Sequence, residues 1–374
     1  MNIHILTAHF YPQLHPRAFR SSELAAELVK RGHRVTVTNL TTVEDFDYMS
    51  FTEKTGVDVR NLGLYHLKTD NLENVQNTWL YHTYRFLVEY LFAGNLFRHS
   101  SIIAKRINID HDTDAVIALS KPFMNVLAIS RYVKRHGKKF VTIVDSGDPF
   151  SNSKQTKTAF WFKWVEKWTY KFYDYLTIPT ENAIPLYAPM IDKEKIRIIP
   201  QGFRMDSLKL YEGSFDGPIR MAYAGVFYFD IRNPEFLFAY LNTLSIDYEF
   251  YLFMRDCNAL VDDLLAKYPS VKPHVRISTM PHDELITELS RMHFLINIEN
   301  LSNTQMPSKL IDYGMTGRPI FSCNKTNFSP EKFNRFVNGD YSEAYNVDVK
   351  KYDIRVIAQQ FENLITQKHK DYDI

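Results

Sequence analysis

The segment 303–320, NTQMPSKLIDYGMTGRPI, sets three polar side chains at the start of a short helix that is otherwise apolar. Proline favours the first helical turn and serine is a good N-cap, so the helix should begin at Pro307 or Ser308. The unpaired N–H groups and the dipole of a helix start attract an anion, and Lys309 adds positive charge. This suits a diphosphate, while Asp312, about one turn further on, can accept hydrogen bonds from sugar hydroxyls. The alternative is a capped core helix with Lys309 in water and Asp312 at its rim.

Two aspartates follow the predicted strand 139–144. The sequence VDSGDPF (144–150) puts Asp145 and Asp148 at the carboxyl end of that strand, with a glycine between them. A carboxylate in this position can orient a substrate hydroxyl or remove its proton as a general base. The alternative is an ordinary turn that contains aspartate.

Arg17 and Arg20 stand at the start of the first predicted helix, after the segment HFYP that contains Tyr11. Cations are electrostatically unfavourable at a helix start, so we expect these arginines to meet an anion. Tyr11, Arg17 and Arg20 are therefore predicted to contact a substrate. The alternative is a pair of solvated surface arginines.

The segment 154–173, KQTKTAFWFKWVEKWTYKFY, contains three of the four tryptophans and five lysines against one glutamate. At helical spacing, Trp161, Trp164 and Trp168 share a face with Phe172. Aromatic side chains beside a stripe of lysines are typical of a helix that lies on an anionic membrane surface. The alternative is a helix that packs its aromatic side chains on the sheet and keeps its lysines in water.

The elements that must position these residues alternate between strand and helix. Strand 2–7, helix 18–31 and strand 34–40 predict a βαβ unit, which implies a parallel sheet. The alternation continues with strands 62–67, 115–120, 139–144 and 175–179, and with helices 78–106, 123–136 and 159–173.

A second α/β domain begins near residue 218. Its predicted strands are 218–227, 248–254, 275–278, 294–299 and 320–323, and its predicted helices are 234–244, 258–268, 282–292 and 308–315. We therefore predict an N-terminal domain at 1–203, a polar linker at 204–217, a second domain at 218–352 and a C-terminal helix within 353–374 that packs back on the first domain. Ligands of open α/β sheets bind at the carboxyl ends of the strands.

Composition and missing motifs exclude several classes. The formal net charge of +2 is too small to favour a nucleic-acid partner, and two cysteines argue for a reducing compartment. The turn after the first strand lacks G-x-G-x-x-G, and neither a Walker A motif nor a G-x-S-x-G elbow occurs. No histidine or cysteine cluster has metal spacing.

Five segments resemble the GT-B fold glycosyltransferases of the retaining family 4 type, in the same order along the chain. They are HFYPQLHPRAFRSSELAAELVKRGHRVTVT, EKWTYKFYDYLTIPTENAIPLY, KIRIIPQGFRMD, MAYAGVFYFDIRNPEFLFAYL and MPSKLIDYGMTGRPIFS. The resemblance covers nearly the whole chain. It implies two Rossmann-like doubly wound domains that face each other across a cleft, the first binding an acceptor through Tyr11, Arg17 and Arg20.

The resemblance also implies a donor site in the second domain. Asp312 matches the second glutamate of the family's Glu-x7-Glu motif, which holds the nucleotide ribose. The first glutamate falls on Thr304, so Thr304 and Gln305 are expected to hold the sugar through neutral hydrogen bonds.

The diphosphate contacts depart from the family pattern as well. Gly225 matches the glycine that approaches the phosphates, but Val226 stands where arginine is common. Arg232, Lys309 or Arg255 is therefore expected to supply the positive charge.

We predict a glycosyltransferase that moves a sugar from a nucleotide-diphosphate donor to a saccharide or lipid-linked acceptor, and we expect no cofactor. As the resemblance implies, it should retain the anomeric configuration and need no bound metal. The resemblance implies surface polysaccharide or glycolipid assembly. The alternatives are an enzyme similar to the UDP-sugar 2-epimerases and an inactive relative that binds sugar nucleotides. The first residues lack a basic region and a long apolar run, so we expect no signal peptide and a cytoplasmic protein at the inner face of the plasma membrane.

Overall fold

The structure, a computed structural model, divides the chain into two compact units. Unit 1 comprises Met1–Phe203 and Tyr352–Ile374, and unit 2 comprises Arg204–Lys351. The described residues are 1–13, 16–43, 46–67, 90–91, 95–151, 159–206, 208–229, 232–254, 259–299 and 308–372.

Unit 1 is built on a parallel sheet of seven strands in the order β3-β2-β1-β4-β5-β6-β7. The strands are β1 Asn2–Thr7, β2 Arg34–Val43, β3 Asp58–Leu67, β4 Ala115–Leu119, β5 Val141–Asp145, β6 Tyr175–Ile178 and β7 Ile196–Ile198. The helices are α1 Pro16–Lys30, α2 Tyr48–Thr55, α3 Leu96–Arg106, α4 Met124–His136, α5 Phe162–Tyr170 and α6 Ile184–Tyr187. β4 and β5 are buried throughout, as expected of parallel strands covered on both faces.

Unit 2 repeats this plan with a parallel sheet of five strands in the order β10-β9-β8-β11-β12. The strands are β8 Ile219–Ala224, β9 Tyr248–Phe253, β10 Val275–Ser278, β11 Phe294–Ile298 and β12 Ile320–Cys323. The helices are α7 Glu235–Leu241, α8 Ala259–Lys267, α9 His282–Leu289, α10 Ser308–Met315 and α11 Pro330–Val337. The strand order reverses between β8 and β11, so the carboxyl ends of these two strands form the topological switch point of unit 2.

The C-terminal helix, α12 Ile354–Tyr372, packs on unit 1. Arg31 and His33 both contact Glu362 of α12 at 2.6 Å, and the hydrogen bond from Arg31 holds the pKa of that carboxyl below its usual value. The chain approaches α12 closely at Gly202, where a Cβ would lie 2.6 Å from the Ile354 side chain. The close approach therefore requires glycine at this position.

The segment 204–217, predicted to be a linker, lies within unit 2, and its described residues, 204–206 and 208–217, form no regular helix or strand. The Tyr211 backbone N–H donates to Ser290 at 2.8 Å, and the Phe215 ring lies 5.1 Å from that of His293. The segment is thus fixed to the second unit rather than free between the two. Its polar composition did not reveal that the Tyr211 backbone and the Phe215 ring anchor it.

The predicted elements correspond to the described strands and helices within a few residues. Residues 78–89 of the helix predicted at 78–106 lie outside the described residues, and the described helix there is α3. The prediction omitted the short elements α2, α6, β7 and α11. α11 carried a readable signal, because Ser329 caps it by accepting from the Lys332 N–H at 3.2 Å and Pro330 follows.

Candidate functional site

The switch point of unit 2 begins with the turn that follows β8. Gly225 has a φ of +127°, in the region that favours glycine, and its N–H donates to the Phe253 carbonyl at 2.9 Å. The Tyr223 hydroxyl donates to the Val226 carbonyl at 3.2 Å and closes the turn. Val226, where the resemblance expects arginine, is an exposed apolar side chain. A glycine here lets a ligand approach the backbone closely.

Helix α10 is fastened to the same strand end. The Tyr313 side chain is fully buried, and its hydroxyl accepts a hydrogen bond from the Ala224 N–H at 2.7 Å. Burial raises the pKa of Tyr313 well above its ordinary value, so the hydroxyl keeps its proton. This contact sets the position of Ser308 and Lys309 at the start of the helix.

Lys309 reaches back to the strand ends instead of into water. Its Nζ donates to the Ile298 carbonyl at 3.3 Å and lies 4.5 Å from the centre of the Tyr223 ring. Burial, together with the nearby Arg232 guanidinium, lowers the pKa of Lys309 well below its ordinary value. Lys309 therefore differs from the solvated lysine of the alternative interpretation.

Arg232 is the second cation at this strand end. Its positive charge contributes to the lowered pKa of Lys309, and its side chain hydrogen-bonds the Tyr223 hydroxyl. Burial raises the pKa of Tyr223 to about 12. Two cations that share a partly buried site repel each other, so a bound anion would offset the repulsion between them. The structure thus brings together three of the predicted donor residues: Gly225, Arg232 and Lys309.

Asp312 lies on α10, half-buried, and its negative charge helps to raise the pKa of the neighbouring Tyr313. Ser308 is the first residue of the helix. Three predicted donor residues, Arg255, Thr304 and Gln305, lie outside the described residues.

A pocket of about 510 Å³ opens at the same switch point. Its walls come from the loops after β8, β11 and β12 and from α7; the polar side chains among them include Arg232, Asn233, Glu299, Asn324 and Lys325. Sequence reasoning missed Glu299 and Asn324. Their signal was positional, because each directly follows a strand of the parallel sheet, where ligand-binding residues concentrate.

The candidate residues of unit 1 pair with one another. Arg20 of α1 holds Asp145 of β5 through two hydrogen bonds of 2.5 Å, and the Thr177 hydroxyl donates to the same carboxylate at 2.7 Å. The side chains of Arg20 and Asp145 are 13% and 1% exposed. The anion that Arg20 meets is therefore a carboxylate of the chain itself, and these contacts favour a positioning role for Asp145.

Asp148 stands between two cations and stays partly exposed. Arg17 lies 3.7 Å away and the Lys121 ammonium donates to the same carboxylate oxygen. Burial lowers the pKa of Arg17, and Asp148 opposes that shift. Of the two predicted catalytic aspartates, Asp148 is the more accessible; its catalytic role stays a prediction. Sequence reasoning missed Lys121, which directly follows the strand-end residue Ser120.

The loop that carries Asp148 is held by a buried carboxylate. Glu166 of α5 accepts hydrogen bonds from the N–H groups of Phe150 and Ser151, from the Ser151 hydroxyl and from the Tyr170 hydroxyl at 2.8 Å. Burial raises the pKa of Glu166, which these hydrogen bonds oppose. α5 therefore fixes the loop beside the predicted site.

Tyr11 and helix α5 present aromatic rings at the surface of unit 1. Tyr11 is 44% exposed and stacks on Phe51 with 5.1 Å between ring centres. On α5, Trp164 is 67% exposed, whereas Trp161 and Trp168 pack partly buried against the core. Of these three tryptophans, Trp161 and Trp168 pack against the core, as the alternative interpretation expects, whereas Trp164 is exposed; the membrane contact stays a prediction.

We name four exposed residues the α5 patch: Phe160, which precedes α5, and Lys163, Trp164 and Lys167 of that helix. Phe160 is 69% exposed, and its ring centre lies 5.7 Å from that of Trp164. Both lysines are exposed.

Two features are absent from the part of the chain that the structure describes. Within it, no three histidine, cysteine, aspartate or glutamate side chains are placed to hold a metal ion. Within it, too, no helix combines the length and apolarity needed to cross a bilayer.

Comparison with solved structures identifies the fold. HepE of Anabaena in complex with UDP superposes with a TM-score of 0.63 at 10% identity, covering 98% of this chain and 100% of that one. A glycosyltransferase from Rickettsia africae gives 0.61 at 12% identity, covering 98% of both chains. The lipopolysaccharide outer core galactosyltransferase WaaB gives 0.58 at 12% identity, with 98% and 100% covered. No protein-family model and no curated protein matches the sequence. The predicted GT-B fold of two Rossmann-like units is thereby confirmed; at these identities the likeness concerns the fold alone.

Proposed function

We propose that this chain is a glycosyltransferase that uses a nucleotide-diphosphate sugar as donor and a saccharide or lipid-linked molecule as acceptor. The observation that carries the proposal is the pair of cations, Arg232 and Lys309, beside the open turn at Gly225. They stand where α/β sheets bind ligands. UDP and UDP-glucose, present in complexes of HepE, are donor-type ligands of this kind.

In this reaction the bond between the sugar C1 and the diphosphate oxygen breaks, and a bond from C1 to the acceptor oxygen forms. The acceptor hydroxyl loses its proton, and the diphosphate leaves with additional negative charge. Arg232, Lys309 and the N–H groups at the start of α10 are arranged to stabilise that charge. We propose that they do so without a metal ion and, as the family resemblance implies, with retention at C1.

Unit 1 is the proposed acceptor-binding unit. Its exposed polar groups next to the strand ends are Asp148 and Arg17, with Tyr11 on the preceding loop. Asp148 is the candidate to orient the acceptor hydroxyl or to take its proton, and Arg17 and Lys121 keep the carboxylate in place. The proposed setting is the assembly of a surface polysaccharide or glycolipid.

Nucleotide release from UDP-glucose, UDP-galactose, UDP-N-acetylglucosamine and GDP-mannose, each with and without glycan acceptors, tests the function. A glycosyltransferase gives release that rises with acceptor and yields a glycosylated product. Release without acceptor would instead favour epimerase-like chemistry. Binding in calorimetry without turnover on any acceptor would favour an inactive sugar-nucleotide binder.

Replacing Asp312 with alanine should weaken binding of the nucleotide diphosphate about tenfold or more, because a hydrogen bond to a charged group is worth about 1.5–3 kcal/mol. Titration calorimetry with UDP and GDP measures the change. Asp263→Ala on the exposed face of α8 is the matched control and should bind like the wild type. Equal affinity of Asp312→Ala and the wild type would remove Asp312 from the site.

The α5 patch is the proposed contact with an anionic membrane surface. Exposed aromatic rings insert at the interface, and each nearby lysine adds about 1 kcal/mol of attraction to anionic lipid. Replacing Phe160 and Trp164 together with serine should remove most co-sedimentation with vesicles that contain phosphatidylglycerol. Met49→Ser, which changes an exposed apolar residue on α2, should leave sedimentation intact. Unchanged sedimentation of the double variant would contradict the proposal.

A further inference from the structure

The pocket beside Arg232 has a polar lining of two carboxylates, two amides and two cations. Its charged and amide side chains are Glu235, Glu299, Asn233, Asn324, Arg232 and Lys325, of which Glu235 is paired with Lys267. Phe229, Phe236 and Tyr268 supply aromatic walls. A carboxylate and amides are the partners that sugar hydroxyls require, and aromatic rings pack on the apolar faces of a sugar ring.

Glu299 is held in one orientation by three hydrogen bonds. Its Oε1 accepts from the Ser322 hydroxyl at 2.9 Å, and its Oε2 accepts from the side-chain amides of Asn324 at 2.7 Å and Asn327 at 3.1 Å. A carboxylate has about four acceptor positions. These hydrogen bonds occupy three of the four positions. The carboxylate is therefore fixed in orientation, and its Oε1 can still accept one hydrogen bond from a ligand hydroxyl.

The network continues into the sheet. Asn297 of β11 is 2% exposed and donates to the Ser322 hydroxyl at 2.7 Å. Each step from Asn297 through Ser322 to Glu299 fixes the next side chain, so the carboxylate is positioned by β11 and β12 rather than by a loop alone. Side chains supported in this way lose little freedom when they bind a ligand.

The position of the pocket decides which part of a donor fits it. Arg232 lines the pocket and is also one of the two cations assigned to the diphosphate. The transferred sugar is bonded directly to the diphosphate, so it lies within a few ångströms of the same guanidinium. Asp312, assigned to the ribose, lies on α10 and is not part of the pocket wall.

We propose that this pocket binds the transferred sugar of the donor and that Glu299 is the residue that recognises its hydroxyls. This inference rests on the proposed function. Glu299 thereby supplies the carboxylate that the chain lacks at Thr304, from a position that directly follows β11.

The test measures how tightly the variants Glu299→Gln and Glu299→Ala bind nucleotide diphosphates that carry a sugar and nucleotide diphosphates that do not. Titration calorimetry with UDP-glucose, UDP-galactose, UDP-N-acetylglucosamine and GDP-mannose first identifies the tightest donor, and UDP or GDP is its sugar-free counterpart. We expect affinity for that donor to fall at least tenfold in both variants, while affinity for the sugar-free nucleotide changes less than twofold. Glu343→Gln removes an exposed carboxylate elsewhere in unit 2 and should change neither affinity.

The outcomes separate the two proposals. If the wild type binds none of these nucleotides, the proposed function fails and the sugar pocket with it. If the wild type binds a donor and the Glu299 variants bind it equally well, only the sugar pocket is refuted. Equal losses for donor and sugar-free nucleotide would likewise overturn it, because they would indicate a structural or nucleotide-binding role. Circular dichroism and hydrogen exchange of unit 2 establish that the variants are folded.

Discussion

Replacing Lys309 with methionine is expected to weaken binding of UDP or GDP about 10- to 150-fold, because a hydrogen bond between charged groups is worth about 1.5–3 kcal/mol. The same change should leave the free protein equally stable or more stable. The ammonium is partly buried beside Arg232, where its charge is poorly solvated, whereas methionine can pack on the Tyr223 ring. Titration calorimetry measures affinity. Since all four tryptophans lie in unit 1, hydrogen exchange is used to follow unit 2.

The lowered pKa of Lys309 adds a pH signature. Between that lowered pKa and the ordinary value of 10.5, the unfolded chain binds more protons than the folded one, so the free energy of unfolding rises with pH. A bound diphosphate favours the ammonium, so binding takes up a proton and affinity falls as the pH rises through this window. Lys309→Met should remove both dependences. A variant that keeps the wild-type affinity and pH profile would show that Lys309 does not touch the diphosphate.

Replacing Arg20 with methionine is expected to destabilise unit 1 by about 3–5 kcal/mol, because the change leaves the buried Asp145 carboxylate without its counter-charge. Only the Thr177 hydroxyl and any water that enters would then compensate the charge. Tryptophan fluorescence during denaturant unfolding reports on unit 1 specifically, because residues 79, 161, 164 and 168 all lie there.

Arg17→Met is the matched control for Arg20. Arg17 begins the same helix, but its ion pair with Asp148 is 3.7 Å long and the two side chains are 39% and 27% exposed. Exposed pairs contribute about 0–1 kcal/mol, so this variant should unfold nearly like the wild type. Adding Asp145→Asn to Arg20→Met should recover part of the lost stability, since it removes the unpaired charge. If Arg20→Met is as mild as Arg17→Met, the buried pair is not a stability determinant.

The alternation of apolar strands and amphipathic helices was sufficient to predict the fold. Apolar runs of five or six residues separated by helical patterns permit few arrangements other than parallel sheets covered by helices. The same regularity put Gly225 at a strand end and Ser308 at a helix start, because a chain that alternates in this way must turn there. Local chemistry at 307–309 likewise indicated where the helix begins.

Local sequence patterns could not predict which side chains contact each other. Arg20 and Asp145 are separated by 125 positions and meet only because α1 and the end of β5 reach the same edge of the sheet. The orientation of α5 also depended on a distant partner. Hydrophobic spacing grouped the three tryptophans at 161, 164 and 168, yet Trp164 is exposed, and the buried residue of α5 that receives hydrogen bonds from the loop at 150–151 is Glu166.

By itself, then, the sequence determined the two α/β units, the helix start at Ser308 and the cations available to bind an anion. Only the tertiary structure decided which cations converge, because Arg232 lies in the segment after β8 and Lys309 at the start of α10, and the two meet at the ends of β8 and β11. It also decided that Arg20 forms an ion pair with the Asp145 carboxylate of the same chain and that Glu299 lines a pocket. The physical reason is range: helix and strand periodicity is set by neighbouring residues, whereas charge pairing and pocket lining depend on which strand ends the fold brings together.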